Sequence, residues 1–234
     1  VLKHMASVSS SFRGVVSSAE TFVKNSIRES RLDSSHDWWH IDRVRNLALE
    51  LAGREKLPEE LRIVVELAAL LHDVKDWKYS NDESAGFEAV KEFLDGQLTL
   101  SQDDKDRILH VVGNIGFKDE IAGSSVELTP ELCVVQDADR LDAMGAIGIA
   151  RCFTFGGRFC RTLHDPSVLP RRSLTKEAYT SGSAGQTTIN HFHEKLLRLK
   201  GMMKTEAGRE LAASRHRFLE EFLERFHAEW DGAA

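Results

Sequence analysis

The chain has 234 residues, 41% of them hydrophobic and 29% charged, with a formal net charge of -6. That length supports one substantial core or at most two small ones. The acidic balance argues against a protein that coats nucleic acid, although it leaves room for a local basic pocket.

Cys133, Cys152 and Cys160 are an odd set without Cys-x-x-Cys spacing. They argue against a disulfide framework or a thiolate zinc site and are expected as ordinary buried thiols in a reducing compartment. No apolar run approaches the ~20 residues that cross a bilayer. The chain therefore reads as free of membrane and cytoplasmic, or as resident in an organellar stroma or matrix if a transit peptide was trimmed.

From the start, Val1-Leu2-Lys3-His4 reads as a vector remnant ahead of Met5, and the Ser-rich stretch to Ser18 lacks the apolar centre of a secretory signal. Residues 1–18 are expected as a remnant plus flexible terminus, ahead of a single domain over 19–230. After His40, the residues Val44, Leu47 and Leu51 recur at helical spacing. Pro58, Glu59 and Glu60 suit the start of a further helix. That helix runs through Leu61, Val64, Val65, Ala68 and Leu71, which places His72 and Asp73 near its C-terminal end.

Further helices are expected from about Glu83 to Leu94, Gln102 to Val112, and Pro130 to Met144 with a continuation through Ala150. Gly113, Gly116 and Gly123 mark a loop around Phe117-Lys118. Residues 163–185 contain Pro166, Pro170 and a Thr-Ser-Gly-Ser-Ala-Gly run, which reads as an irregular excursion, either a lid or a dimer contact. Two long helices, about Thr188 to Met202 and Thr205 to Glu229, close the chain. Alternating β-branched runs are scarce, so the fold class is all-α.

Four polar residues stand out in apolar, helix-like contexts: His40, His72, Asp73 and Asp139. A carboxylate after Leu67-Ala68-Ala69-Leu70-Leu71 is costly to bury unless something pairs with it. An ion pair is one solution for Asp73 and for Asp139, which has Arg140 as an internal partner, and His40 also reads as a packed or capping residue. Two imidazoles with two carboxylates also suit a divalent cation.

In this order the four residues resemble the signature of the HD superfamily of metal-dependent phosphohydrolases, His … His-Asp … Asp. The surrounding blocks are similar too: His36-Asp37-Trp38-Trp39-His40-Ile41-Asp42-Arg43-Val44, Leu71-His72-Asp73-Val74-Lys75-Asp76, and Gln136-Asp137-Ala138-Asp139-Arg140-Leu141-Asp142-Ala143. The likeness extends through Asn190-His191-Phe192-His193 and Thr205-Glu206-Ala207-Gly208-Arg209, covering about Ala19 to Glu229. The opening looks like the HDxxHxxRV of one bacterial and plant branch.

The resemblance implies a compact single-domain helical bundle of the HD type. In it His40, His72, Asp73 and Asp139 ligate one divalent transition metal, with Mn²⁺ favoured over Fe²⁺, Co²⁺, Ni²⁺ or Zn²⁺. It implies a small phosphate ester as substrate, most plausibly a nucleoside or deoxynucleoside triphosphate cut to monophosphate and pyrophosphate. The alternatives are a nucleoside monophosphate phosphatase and a non-catalytic nucleotide-binding sensor. A di-iron oxidative relative would need more histidines than this chain places between its second and third blocks, where only His110 lies.

Asp76, one helical turn after His72, matches a carboxylate that activates water or protonates the leaving group in a related branch. Its alternative is a salt bridge with Lys75 or Lys78. Lys118, Lys75, His36 and His110 are candidate substrate residues. For His36 a phosphate or supporting role competes with simple N-terminal capping by Asp37. Arg140 is expected to orient a carboxylate, and His191 and His193 to pack or face solvent. A homodimer is compatible with all of this.

Overall fold

Local signals set where the helices begin and end. The computed structural model describes residues 2–30, 34–74, 85–117, 120, 126–171 and 186–233. Among these the chain is all-helical, with no strand. In chain order the α-helices are α1 Leu2–Ser30, α2 Trp38–Arg54, α3 Glu59–Leu71, α4 Ala85–Asp95, α5 Gln102–Asn114, α6 Pro130–Asp142, α7 Gly145–Arg158, α8 Thr188–Glu194 and α9 Glu206–Trp230. A 3₁₀ helix, Leu196–Met202, lies between α8 and α9.

Side-chain caps open several of them. Asp37 accepts from the His40 N–H at 3.1 Å, Ser101 from Asp104 at 3.1 Å, Thr187 from Asn190 at 3.1 Å and Thr205 from Gly208 at 2.9 Å. Each satisfies one of the N–H groups a helix start leaves without an intrahelical acceptor. Pro58 precedes α3 as the sequence leads one to expect, with Glu59 and Glu60 in its first turn. Among the described residues no helix is long and apolar enough to cross a membrane.

The described residues fall into two compact units. The first takes residues 2–30, 36–74, 85–115 and 127–135; the second takes 34–35, 116–117, 120, 126, 136–171 and 186–233. The expected domain of residues 19–230 spans both, and α1 begins ahead of the boundary expected at residue 18.

In the first unit α3 packs against α1, α2 and α5. Val64, Val65 and every residue from Leu67 to Leu71 are fully buried. Each large apolar side chain so placed contributes about 1.5–3 kcal/mol. Arg45 of α2 ties the helices together at their margin, donating to Glu20 of α1 at 2.8 Å and to Glu66 of α3 at 2.9 Å. Burial opposes the guanidinium charge, but these two carboxylates outweigh it and raise the Arg45 pKa.

In the second unit α7 and α9 pack together, with α8 against α7. Phe192 stacks on Phe222 with ring centres 5.6 Å apart, and Phe153 tilts against both. Arg151 of α7 pairs with Asp142 at 3.0 Å and donates to the Ser35 carbonyl at 2.7 Å.

Three expectations are corrected here. The helix from Pro130 does not continue through Ala150. Its last turn tightens, Met144 is extended (φ -118, ψ 163), and Gly145 adopts φ +67, a left-handed conformation that glycine takes without a Cβ penalty. The helix from Thr188 does not reach Met202 as one α-helix, because Lys195 (φ -130, ψ -62) breaks it directly after Glu194, whose buried carboxylate is held by Arg171. Of the three thiols Cys160 is exposed, at φ 51 just past the end of α7. Cys133 and Cys152 are half-buried rather than fully buried, and desolvation pushes the Cys152 pKa up to about 12. Residues 172–185 of the expected excursion lie outside the described residues.

Two predictions follow from this packing. A Cβ on Gly148 would lie 2.2 Å from the Ala143 backbone. Gly148→Ala is therefore expected to cost about 1–3 kcal/mol or more, measured by chemical denaturation. His164 packs edge-on against Phe226, His227 and Trp230. Burial and the neighbouring His227 lower its pKa, outweighing Asp165 and Asp231, which act in the opposite sense. The unfolded chain then takes up this proton first on acidification. Stability from this site is full above the ordinary histidine range and falls as pH drops through the folded pKa. Denaturation midpoints compared at about pH 7 and about pH 5 should show a smaller acid loss in His164→Gln.

Candidate metal centre

α2 begins at Trp38, so His40 sits in its first turn, and the Asp37 cap holds the His40 backbone N–H. The His40 ring is almost wholly buried, at 1% exposure. α3 ends at Leu71, which puts His72 at the C-cap with Asp73 immediately beyond. An apolar helix thus delivers a histidine and a carboxylate at the point where its regular hydrogen bonding stops.

These side chains converge. The His40 and His72 ring centres are 5.3 Å apart at 76°. An Asp73 carboxylate oxygen lies 3.5 Å from His40 Nε2 and 4.0 Å from His72 Nε2. His36, one turn before His40, has its ring centre 5.9 Å from that of His40. His72 Nδ1 is 2.8 Å from the Ala69 carbonyl oxygen. A carbonyl only accepts, so Nδ1 must carry the hydrogen and the neutral ring keeps its lone pair on Nε2, the atom nearer Asp73. Metal-binding histidines are commonly oriented in this way, with the second nitrogen donating to a carbonyl.

The donor set fits a divalent transition metal. Two imidazoles and a carboxylate present mixed nitrogen and oxygen donors, and the separations of 3.5 and 4.0 Å need only a small adjustment to the spacing of neighbouring ligands at about 2.0–2.2 Å from an ion.

Asp139 belongs to the second unit, half-buried on α6. Its neighbours on that helix are firmly held. Arg140 donates to the Met202 carbonyl at 2.9 Å and pairs with Glu120. Lys204 Nζ lies 3.0 Å from both Glu120 oxygens. Burial works against the Glu120 charge, yet Arg140 and Lys204 outweigh it and hold the carboxyl below its ordinary pKa.

Of the remaining candidates, His110 on α5 places Nε2 2.9 Å from the Glu127 carbonyl. Asp76, Lys75, Lys78 and Lys118 lie outside the described residues. Sequence reasoning passed over Asp137, which is fully buried and receives three backbone and side-chain donors from Lys204 and Thr205. Its only signal in the sequence was a second acidic residue inside an apolar run.

Comparison with known proteins places these features in a family. The HD domain model matches residues 38–144, a span that holds all four candidate ligands. YpgQ of Bacillus subtilis is 36% identical over 202 residues, covering 85% of this chain and 86% of that protein. A solved structure of YpgQ in complex with ADP has a TM-score of 0.70, covering 94% of this chain and 100% of that one. A Lactobacillus plantarum protein of solved structure has a TM-score of 0.81 at 32% identity, covering 94% of this chain and 98% of that one. An HD-superfamily hydrolase from Bacillus thuringiensis has a TM-score of 0.69 at 37% identity, again covering 94% and 98%.

The contact with Ala69 can be read directly. Two-dimensional ¹⁵N NMR of the imidazoles in metal-free protein at alkaline pH should show His72 as the Nδ1–H tautomer. A dominant Nε2–H form would contradict the assignment.

Proposed function

This chain belongs to the HD superfamily of hydrolases, and from that premise we propose that it is a metal-dependent phosphohydrolase of nucleotides. The favoured reaction cleaves a nucleoside or deoxynucleoside triphosphate to the monophosphate and pyrophosphate. The observation that carries the reading is the convergence of His40, His72 and Asp73, with the His72 tautomer set by the Ala69 carbonyl. Support for a nucleotide comes from the relative YpgQ, whose structure was solved with ADP.

The proposed ligands of one divalent ion, Mn²⁺ by preference, are His40, His72, Asp73 and Asp139. His40, His72 and Asp73 come from the first unit, and all four residues lie within the span that the HD domain model matches. A divalent ion held there supplies Lewis acidity, lowering the pKa of water and offsetting charge on the phosphoryl oxygens.

The chain's own residues do the rest. The two imidazoles donate their lone pairs, and the Ala69 carbonyl keeps His72 from rotating out of place. Asp76 is proposed to take the proton of the attacking water and pass it to the leaving oxygen. The water oxygen bonds to phosphorus as the bond to the leaving phosphate oxygen breaks, so atoms and charge balance. Lys118, Lys75, His36 and His110 are proposed to contact phosphate, and their cationic forms would offset its charge.

The deciding experiment is a hydrolysis screen with Mn²⁺ across nucleoside mono-, di- and triphosphates, with product analysis. Release of pyrophosphate from triphosphates, lost in Asp73→Ala together with metal content, is the expected result. Phosphate released from monophosphates would move the assignment to a nucleotidase. Binding without turnover across the panel would favour a sensor. Activity surviving in a folded, metal-free Asp73→Ala protein would overturn the metal mechanism.

A further inference from the structure

The segment Thr205-Glu206-Ala207-Gly208-Arg209 has no part in the chemistry above, yet it meets the helix that carries Asp139. Asp137, two residues earlier on α6, is fully buried. Its carboxylate accepts from the Lys204 N–H at 3.0 and 3.1 Å, from the Thr205 N–H at 2.8 Å and from the Thr205 hydroxyl at 2.7 Å. The same hydroxyl accepts from the Gly208 N–H at 2.9 Å, capping α9. Hydrogen bonds to a carboxylate at a helix N-terminus are charge-assisted and gain further from the helix dipole.

Gly208 is the residue that lets this happen. A Cβ there would lie 2.4 Å from the Asp137 carboxylate oxygen and 2.7 Å from the Thr205 hydroxyl. Any side chain would push the carboxylate off its donors. Three residues on, Arg140 grips the same stretch from α6 by donating to the Met202 carbonyl at 2.9 Å. Residues three apart share a helix face, so Asp137 and Arg140 together hold α6 at two points along one side. Two anchors on one face fix the rotation of a helix about its axis. Asp139 is ~200° round from Asp137 and so projects away from that clamped face.

We propose that Asp137, seated on Thr205 and Gly208, is a positioning residue. It sets the direction in which Asp139 presents its carboxylate and thereby the affinity for the divalent ion. The inference rests on the assignment of Asp139 as a metal ligand. Loss of such supporting partners typically costs about 10–100-fold in metal affinity.

The test is calorimetric titration of the metal-free protein with Mn²⁺, alongside its thermal melting without metal. Asp137→Asn and Thr205→Val are expected to bind about 10–100-fold more weakly, and Thr205→Ser, which keeps the hydroxyl, to bind like the parent. Leu219→Ala, a fully buried site on α9, serves as a control that should lower the melting temperature and leave affinity unchanged. If Asp137→Asn fails to fold, Thr205→Val carries the test with a change of one hydroxyl to a methyl.

Clamp variants that melt lower but bind Mn²⁺ as tightly as the parent would overturn the proposal. So would an equal loss of affinity in Leu219→Ala. Asp139→Ala separates the two levels of the argument. If it too binds normally, the ligand assignment itself has failed; if it alone weakens binding, only the positioning role has.

Discussion

The hydrogen bond between His72 Nδ1 and the Ala69 carbonyl is the interaction on which the candidate centre depends. A helix leaves its last carbonyls without intrahelical donors, and in α3 those carbonyls sit among fully buried apolar side chains. The imidazole answers that need from three residues along. One contact therefore gives a buried carbonyl a side-chain donor and chooses the tautomer. Together with burial of the ring, it sets the direction of Nε2.

The second unit meets a different demand. α6 carries Gln136, Asp137, Arg140 and Asp142, all buried, within a helix that also buries Leu132, Val134, Val135, Ala138 and Leu141. Polar groups at such depth are tolerable only when matched. Asp137 is matched by the start of α9, Arg140 by Glu120 and the Met202 carbonyl, and Asp142 by Arg151. Arg215 adds a donor to the Leu141 carbonyl. The helix is thus held by directed contacts along its length as well as by apolar packing. Such contacts have angular preferences that apolar packing lacks, which is why they can fix a rotation.

Much of this was legible from local pattern. The spacing of apolar residues located α2, α3 and α5, and Pro58-Glu59-Glu60 located a start, because helix periodicity and capping are properties of adjacent residues. The order His40, His72-Asp73 singled out residues that do converge in space. What was not legible depends on distant partners or on backbone dihedrals. Asp137 takes its meaning from residues 67 and 68 positions away. The break before Gly145 follows from a positive φ, which small residues allow but do not demand. Lys195 interrupts a sequence that reads as continuous helix because Glu194 is fixed from outside by Arg171. Exposure of Cys160 is likewise set by where α7 stops, information that composition does not carry.

The committed cations also bear on where a polyphosphate is recognised. The chain has a net charge of -6, and a nucleotide triphosphate adds several negative charges. Carboxylates at Asp73, Asp76 and Asp139 make the balance worse unless cations offset it. A bound ion supplies part of that offset, yet several buried or half-buried cations of the scaffold are engaged elsewhere: Arg45 with Glu20 and Glu66, Arg140 and Lys204 with Glu120, Arg151 with Asp142. Removing such a cation would leave a partly or wholly desolvated carboxylate without its match, which is costly. Phosphate contacts are therefore best drawn from cations the scaffold does not already use. Lys75 and Lys118, proposed above as phosphate contacts, are not members of these pairs.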